Sequence, residues 1–191
     1  MAEPCTNFAQ IKFDECLIQN NAWGYEGHHP PQCIQGPPGA MPGWKWDWPG
    51  QDRTRVQAYP ELIYGKKPWS ATSTTPGLPQ RLSGISRIDA DYDIHTKASG
   101  CYNAAFELWL TRTSATDSAD ITSEIMIWVS RKGLRPAGSF LKSVETPHGT
   151  ADLYEALSMP WRYLAFVLDQ EMLTGRIDLS FFGAGHGSGP R

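Results

Sequence analysis

Between Ser123 and Ser130 the chain reads SEIMIWVS, and the alternation of its side chains sorts it into two rows. Successive side chains of a β-strand point to opposite faces, so Ile125, Ile127 and Val129 form one row and Glu124, Met126 and Trp128 the other. The first row has the character of a core. The second is too apolar for an ordinary water-facing surface, yet it holds a carboxylate that a core rejects. CYNAAFELWL, residues 101–110, repeats the design: Tyr102, Ala104, Phe106, Leu108 and Leu110 make an apolar row, leaving Asn103, Glu107 and Trp109 on the other face. Two strands, each with a core face and an opposite face that pairs a glutamate with a tryptophan, suit the inner side of a curved sheet. On the pattern alone, two solvated faces with a glutamate apiece remain the alternative.

The rest of the chain predicts strands, loops and very little helix. CLIQNNAWG, residues 16–24, reads as a short strand running into a polar turn, and WKWDW places Trp44, Trp46 and Trp48 on one side of a Gly- and Pro-flanked loop, with at least one of them expected to line a cleft. ISRIDADYDIHT alternates Ile88, Ala90, Tyr92 and Ile94 against Arg87, Asp89, Asp91, Asp93 and His95, a half-solvated strand. WRYLAFVLD, residues 161–169, is a further strand, and LDQEMLTG, residues 168–175, reads as a hairpin turn. Repeated strands separated by turn signals predict an all-β protein, an antiparallel sandwich or jelly roll. No internal repeat or interdomain linker interrupts it, so residues 1–182 are expected to form a single domain, followed by a Gly-rich tail over 183–191.

Composition narrows the function classes. A chain of 191 residues, 40% of them hydrophobic, suits one well-buried domain. A net charge of −3 without a run of Lys or Arg argues against nucleic acid or an anionic membrane surface as partner. No stretch approaches the roughly 20 apolar residues of a membrane span, and MAEPCTNFAQIKF does not read as a signal peptide. Eight tryptophans, eighteen glycines and only 19% charged residues suit a surface on which sugar rings stack, and equally any turn-rich β protein. Cys5, Cys16, Cys33 and Cys101 lack CxxC spacing, which leaves disulfides in a secreted protein or buried thiols in a cytosolic one. His28 and His29 read as a solvated loop and Asp89, Asp91 and Asp93 as a solvated strand face without a Ca²⁺ loop, so neither a metal nor a cofactor is expected.

Hydrolysis of a glycosidic bond calls for two carboxyls, one protonated to assist the leaving group and one ionised as nucleophile or base. Aromatic rings supply flat surfaces for sugar faces. Glu124, Met126, Trp128, Glu107 and Trp109 offer several of these parts. The ordered motifs NNAWG at 20–24, QCI at 32–34, YPELIYG at 59–65, GLPQRL at 77–82, YNAAFELWL at 102–110, SEIMIWVS at 123–130, GLRPAGS at 133–139, then YLAF and RIDLSFF, go further. Together they make the chain resemble glycoside hydrolase family 12, small β-jelly-roll endo-β-1,4-glucanases and xyloglucanases, from about Cys5 to Phe182.

The resemblance implies a curved two-sheet antiparallel sandwich with a substrate cleft on its concave face, and a retaining reaction in which Glu124 is the nucleophile. Glu107 falls where the family places an aspartate that contacts the nucleophile; its longer side chain is a departure. Asn21 and Trp23 match positions that hold a sugar, Met126 lies beside the nucleophile, and Trp109, Trp128 and Pro136 join the substrate-binding set. Cys5 and Cys33 resemble a family disulfide, while Cys16 and Cys101 have no role to carry over. The implied partner is a β-1,4-glucan (cellulose, mixed-linkage glucan or xyloglucan), met by a secreted monomer without cofactor. One part is missing. The family's acid/base glutamate lies in a strand reading G-x-E-x-W-x-G after a helix entered at RIDLSFF, and none of Glu145, Glu155 and Glu171 sits in such a motif. The expectation is therefore an endoglucanase impaired by the absence of the carboxyl-terminal helix and strand; the alternative is a non-catalytic β-glucan-binding module.

Overall fold

A computed structural model of the chain describes residues 4–24, 30–38, 40–48, 56–114 and 118–186, and all of their side chains except those of 118 and 184–186. Contacts group the chain into two compact units, residues 1–79 and 80–191. His28 and His29 lie outside the described residues.

The first unit carries β1 (Gln10–Phe13), β2 (Cys16–Gln19), β3 (Gln32–Gln35), β4 (Gly43–Trp46) and β5 (Glu61–Tyr64), arranged as a three-stranded sheet β1-β2-β5 and a two-stranded ribbon β3-β4. Ile18 and Ile34 are fully buried beside a satisfied amide pair. Gln32 Nε2 donates to Asn20 Oδ1 at 2.9 Å, and Asn20 Nδ2 donates to the carbonyls of Gln32 and Thr6, both at 3.0 Å. A buried amide with its partners made is inexpensive to bury. Cys5 and Cys33 are joined as a disulfide, their Cα atoms 4.0 Å apart. Trp44 and Trp46 are exposed on β4, whereas Trp48 beyond its end is half-buried.

The second unit carries β6 (Asp89–Asp93), β7 (Tyr102–Thr111), β8 (Ile121–Lys132), β9 (Ser139–Thr146), β10 (Gly149–Ala156), β11 (Arg162–Leu168), β12 (Thr174–Asp178) and α1 (Leu179–His186). Its main sheet runs β7-β8-β11-β10-β9, and β6 pairs with β12 in a separate ribbon. One face of the main sheet is the core: Ile125, Ile127 and Val129 of β8, Leu164, Phe166 and Leu168 of β11, and Ala151 and Leu153 of β10. They pack with Ile177 of β12 and with Leu179 and Phe182 of α1, where the rings of Phe166 and Phe182 meet edge to face at 5.0 Å. Ala104, Phe106, Leu108 and Leu110 extend the core along β7, as their row predicts.

Four features depart from the sequence-based expectations. β8 and β11 pair in parallel within an otherwise antiparallel sheet. Residues 139–156 form the hairpin β9-β10, which weak alternation hides, since β9 is exposed along most of its length. LDQEMLTG is no hairpin: β11 and β12 belong to different sheets, and this segment carries the chain between them. RID completes β12, and the helix continues through Gly183–His186, into the stretch expected to be an unpatterned tail. Asp178 explains the helix start, because its Oδ1 accepts the Ser180 amide at 2.9 Å.

The aspartate row on β6 faces water beside arginine and histidine side chains. Arg176 grips Asp91 with two hydrogen bonds of 2.7 and 2.8 Å, Arg87 lies 2.6 Å from Asp89, and His95 lies 3.2 Å from Asp93. The Arg176 hydrogen bonds hold the Asp91 carboxyl below the usual carboxylate range. Among the described residues no acidic, His or Cys group is arranged to hold a metal, and no helix is long and apolar enough to cross a membrane.

Candidate active site

On the face of the main sheet opposite the core, strand register gathers side chains from distant parts of the chain. Glu124 of β8 stands opposite Trp109 of β7 and Tyr163 of β11. One pleat along, Met126 stands opposite Glu107 and Ala165. The two glutamates are therefore diagonal neighbours on adjacent strands, within reach of long side chains.

Glu124 is 8% exposed, unusual for a carboxylate. Burial pushes its pKa above the ordinary glutamate value, and hydrogen bonds from Trp161 and Glu107 oppose that rise. The indole Nε1 of Trp161 donates to Glu124 Oε2 at 2.7 Å. Glu107 hydrogen-bonds the same carboxyl from a more exposed position. Two carboxyls in hydrogen-bond contact titrate as a coupled pair rather than as independent groups.

Aromatic packing fixes this arrangement. Trp161 meets Trp109 edge to face at 5.6 Å, and the Tyr163 hydroxyl donates to Met126 Sδ at 3.3 Å. Neither Trp161 nor Tyr163 was among the sequence-derived candidates. Both sit at the start of WRYLAFVLD, and a large indole and a phenol there were the available signal. Their approach to Glu124 depends on the parallel β8–β11 pairing, which no local pattern encodes.

The other candidates are placed as follows. Trp109 is half-buried, while Met126 and Trp128 are 4% and 2% exposed, so these last two present no open thioether or ring surface. Pro136 is buried in the connection between β8 and β9. In the first unit Asn21 is buried and its Nδ2 donates to Glu61 Oε1 at 2.9 Å, while Trp23 is largely exposed. Glu61 also pairs with Lys67. Cys16 and Cys101 are free thiols. Of the later glutamates, Glu155 accepts from Arg162 at 2.8 Å, Glu171 accepts from Ser130, and Glu145 accepts from Thr150 at 3.1 Å.

Comparison with known proteins gives this arrangement a context. A family model described as glycosyl hydrolase family 12 matches residues 15–184. Endoglucanase S of Pectobacterium parmentieri is 38% identical over 104 residues, a match covering 53% of this chain and 39% of that protein, so the match spans about two fifths of the relative's length. A solved family 12 xyloglucanase from Bacillus licheniformis, with ligand bound, superposes with a TM-score of 0.85 at 27% identity, covering 96% of this chain and 82% of that one. An endoglucanase from Rhodothermus marinus superposes with a TM-score of 0.79 at 23% identity, covering 94% and 80%, which speaks for the fold alone. The fold class is accordingly the all-β jelly-roll sandwich of these structures.

Proposed function

The chain belongs to glycosyl hydrolase family 12, and on that premise we propose that it is a retaining endo-β-1,4-glucanase in which Glu124 attacks the anomeric carbon. The observation that carries the proposal is the buried Glu124 carboxyl held by Trp161 and Glu107. A nucleophile must be ionised and aimed, and donors to its oxygens serve both needs. Glu107 has the role of a positioning residue. Carboxyls in direct hydrogen-bond contact are closer than the roughly 5–5.5 Å that a retaining nucleophile and its acid require across the scissile bond, so Glu107 does not protonate the leaving group. Nor do Glu145, Glu155 and Glu171 offer themselves, since each is engaged elsewhere in the second unit.

In the second unit Trp109, Met126, Trp128 and Pro136 are proposed to shape the glucan site, with Met126 and Trp128 beneath the sugar chain rather than stacked on it; in the first unit Asn21 and Trp23 are proposed to contact sugar. The substrate is a β-1,4-glucan, including xyloglucan, and the location is extracellular, where the Cys5–Cys33 disulfide is stable. The family match runs from one unit into the other, which supports one catalytic domain.

With Glu145, Glu155 and Glu171 engaged elsewhere among the described residues, the chain is proposed to act best on substrates whose leaving group needs no proton. Loss of acid assistance costs about 10²–10⁴-fold, and the cost falls on sugar alkoxides rather than on phenolates. The test is turnover of an activated aryl cello-oligosaccharide beside soluble β-glucan, with mass spectrometry after a 2-deoxy-2-fluoro aryl cellobioside. Slow aryl cleavage, a sugar adduct on Glu124 and loss of both in Glu124→Ala are expected. An adduct on another residue would overturn the assignment. Binding of β-glucan without any turnover or adduct would favour the non-catalytic module.

A further inference from the structure

The transverse row through Met126 continues well past the paired glutamates. Across the sheet it reads Glu107 on β7, Met126 on β8, Ala165 on β11, Tyr154 on β10 and Phe140 on β9, each directly opposite the next. The parallel row through Glu124 passes Tyr163 and ends at Ala156 on β10. Directly opposed residues share a face of the sheet, so Phe140 and Tyr154 lie on the same face as Glu124. Their rings meet edge to face at 5.9 Å.

This end of the face is unusually apolar for a surface. Phe140 is 54% exposed, Leu141 50% and Leu157 77%, and together with Ala156 they line a shallow groove. Clustered apolar side chains left in water mark a binding surface more often than scattered ones do. Gly138 borders the groove with φ +81°, in the conformation that favours glycine, where a Cβ would lie 2.0 Å from the Glu155 carbonyl oxygen. The backbone thus closes tightly behind Phe140. Three strand spacings of about 4.8 Å separate β9 from β8, roughly 14 Å or about two to three linked pyranose rings.

We propose that Phe140, supported by Tyr154 and rimmed by Leu157, is a distal aromatic platform that stacks on a sugar ring of the β-1,4-glucan two to three rings away from the Glu124–Glu107 pair, and so sets a preference for longer chains. The inference rests on the reading of Glu124 as the nucleophile of a glucan-cleaving site. A pyranose ring presents an apolar C–H face that suits a phenyl ring, and the neighbouring Tyr154 carries a polar tip for a sugar hydroxyl. The continuous row of side chains from Glu107 to Phe140, broken only by the small Ala165, gives the chain a track to follow.

The experiment is calorimetric titration of the full chain carrying Glu124→Gln with cellobiose, cellotriose, cellotetraose and cellohexaose. Adding Phe140→Ala should weaken cellohexaose about tenfold, the loss expected for one aromatic stack, with no comparable loss for cellobiose. Phe140→Trp should retain or tighten cellohexaose binding. An equal loss at every length, or none at any length while the Phe140 protein binds, overturns the platform and leaves the site reading standing. Failure of the Glu124→Gln chain to bind any oligosaccharide overturns the site reading and the platform with it. A change from dimer to monomer in sedimentation on Phe140→Ala, without change in cellohexaose affinity, assigns the patch to contact between copies and also overturns the platform.

Discussion

Trp161 Nε1 donates to Glu124 Oε2 at 2.7 Å, although 37 residues of chain separate them. The indole stands one position before β11, the strand that pairs in parallel with β8, and its ring is braced edge to face on Trp109 of β7. Three strands thus contribute to the setting of one carboxylate.

Replacing that donor tests its purpose. Trp161→Phe keeps a ring against Trp109 and removes the N–H, so the ionised form of Glu124 loses a stabilising contact and its pKa rises further above the ordinary value. The acidic limb of the rate profile on an aryl cellobioside should move to higher pH. A hydrogen bond to a charged group is worth about 1.5–3 kcal/mol, so kcat/KM at neutral pH should fall about tenfold to a hundredfold. An unmoved acidic limb would remove Trp161 from the nucleophile's support.

Glu124 also costs stability. Because burial raises its folded pKa above the unfolded value of about 4.3, the folded protein binds more protons between those two values and becomes less stable as pH rises through them. Glu124→Gln keeps an acceptor for Trp161 without the charge. At pH 7 the variant should melt about 2–4 °C above the parent, and the two should converge at a pH below 4. Differential scanning calorimetry across that range decides it; a parent that outlasts the variant at neutral pH would contradict the burial cost.

Gly138 carries a backbone requirement close to Pro136. With φ +81° and a Cβ site 2.0 Å from the Glu155 carbonyl oxygen, Gly138→Ala must push the β8–β9 connection off β10. A loss of about 2–5 kcal/mol in urea denaturation is expected from left-handed strain plus overpacking. Retention of the parent midpoint would show that the connection yields freely.

The Cys5–Cys33 bond closes a loop with a sequence separation of 28. Cys33→Ser should lower unfolding free energy by about 2–4 kcal/mol. Reduced parent protein should match the variant in the same denaturant titration, and a reduced parent that keeps its oxidised stability would contradict this.

Phe166, fully buried against Phe182, anchors α1 on the main sheet. Phe166→Ala should cost about 3–5 kcal/mol by denaturant titration, as large cavities in cores do. A cost under 1 kcal/mol would mean that the helix contributes little to this core.

Period-two alternation is a local property, so the sequence by itself determined which side chains of β7 and β8 face the core and which face away. Glu107, Trp109, Glu124 and Met126 were legible on those grounds, and ordered motifs across the chain assigned the family. The fate of Asp89, Asp91 and Asp93 was legible too, because a row of carboxylates on one face of a strand belongs in water, and all three are exposed there, Asp89 and Asp91 beside Arg87 and Arg176.

The order of strands was not legible, because it is set by hydrogen bonds between segments far apart in the chain. Parallel pairing of β11 with β8 brings Trp161 and Tyr163 to Glu124 and Met126, and no periodicity in WRYLAFVLD specifies that neighbour. The depth of Trp128 was hidden for the same reason. Its row was plain, but its burial depends on what packs around it. β9 was invisible because an exposed edge strand keeps little hydrophobic contrast between its faces, so only its pairing with β10 reveals it and places Phe140 in line with Glu107 and Met126.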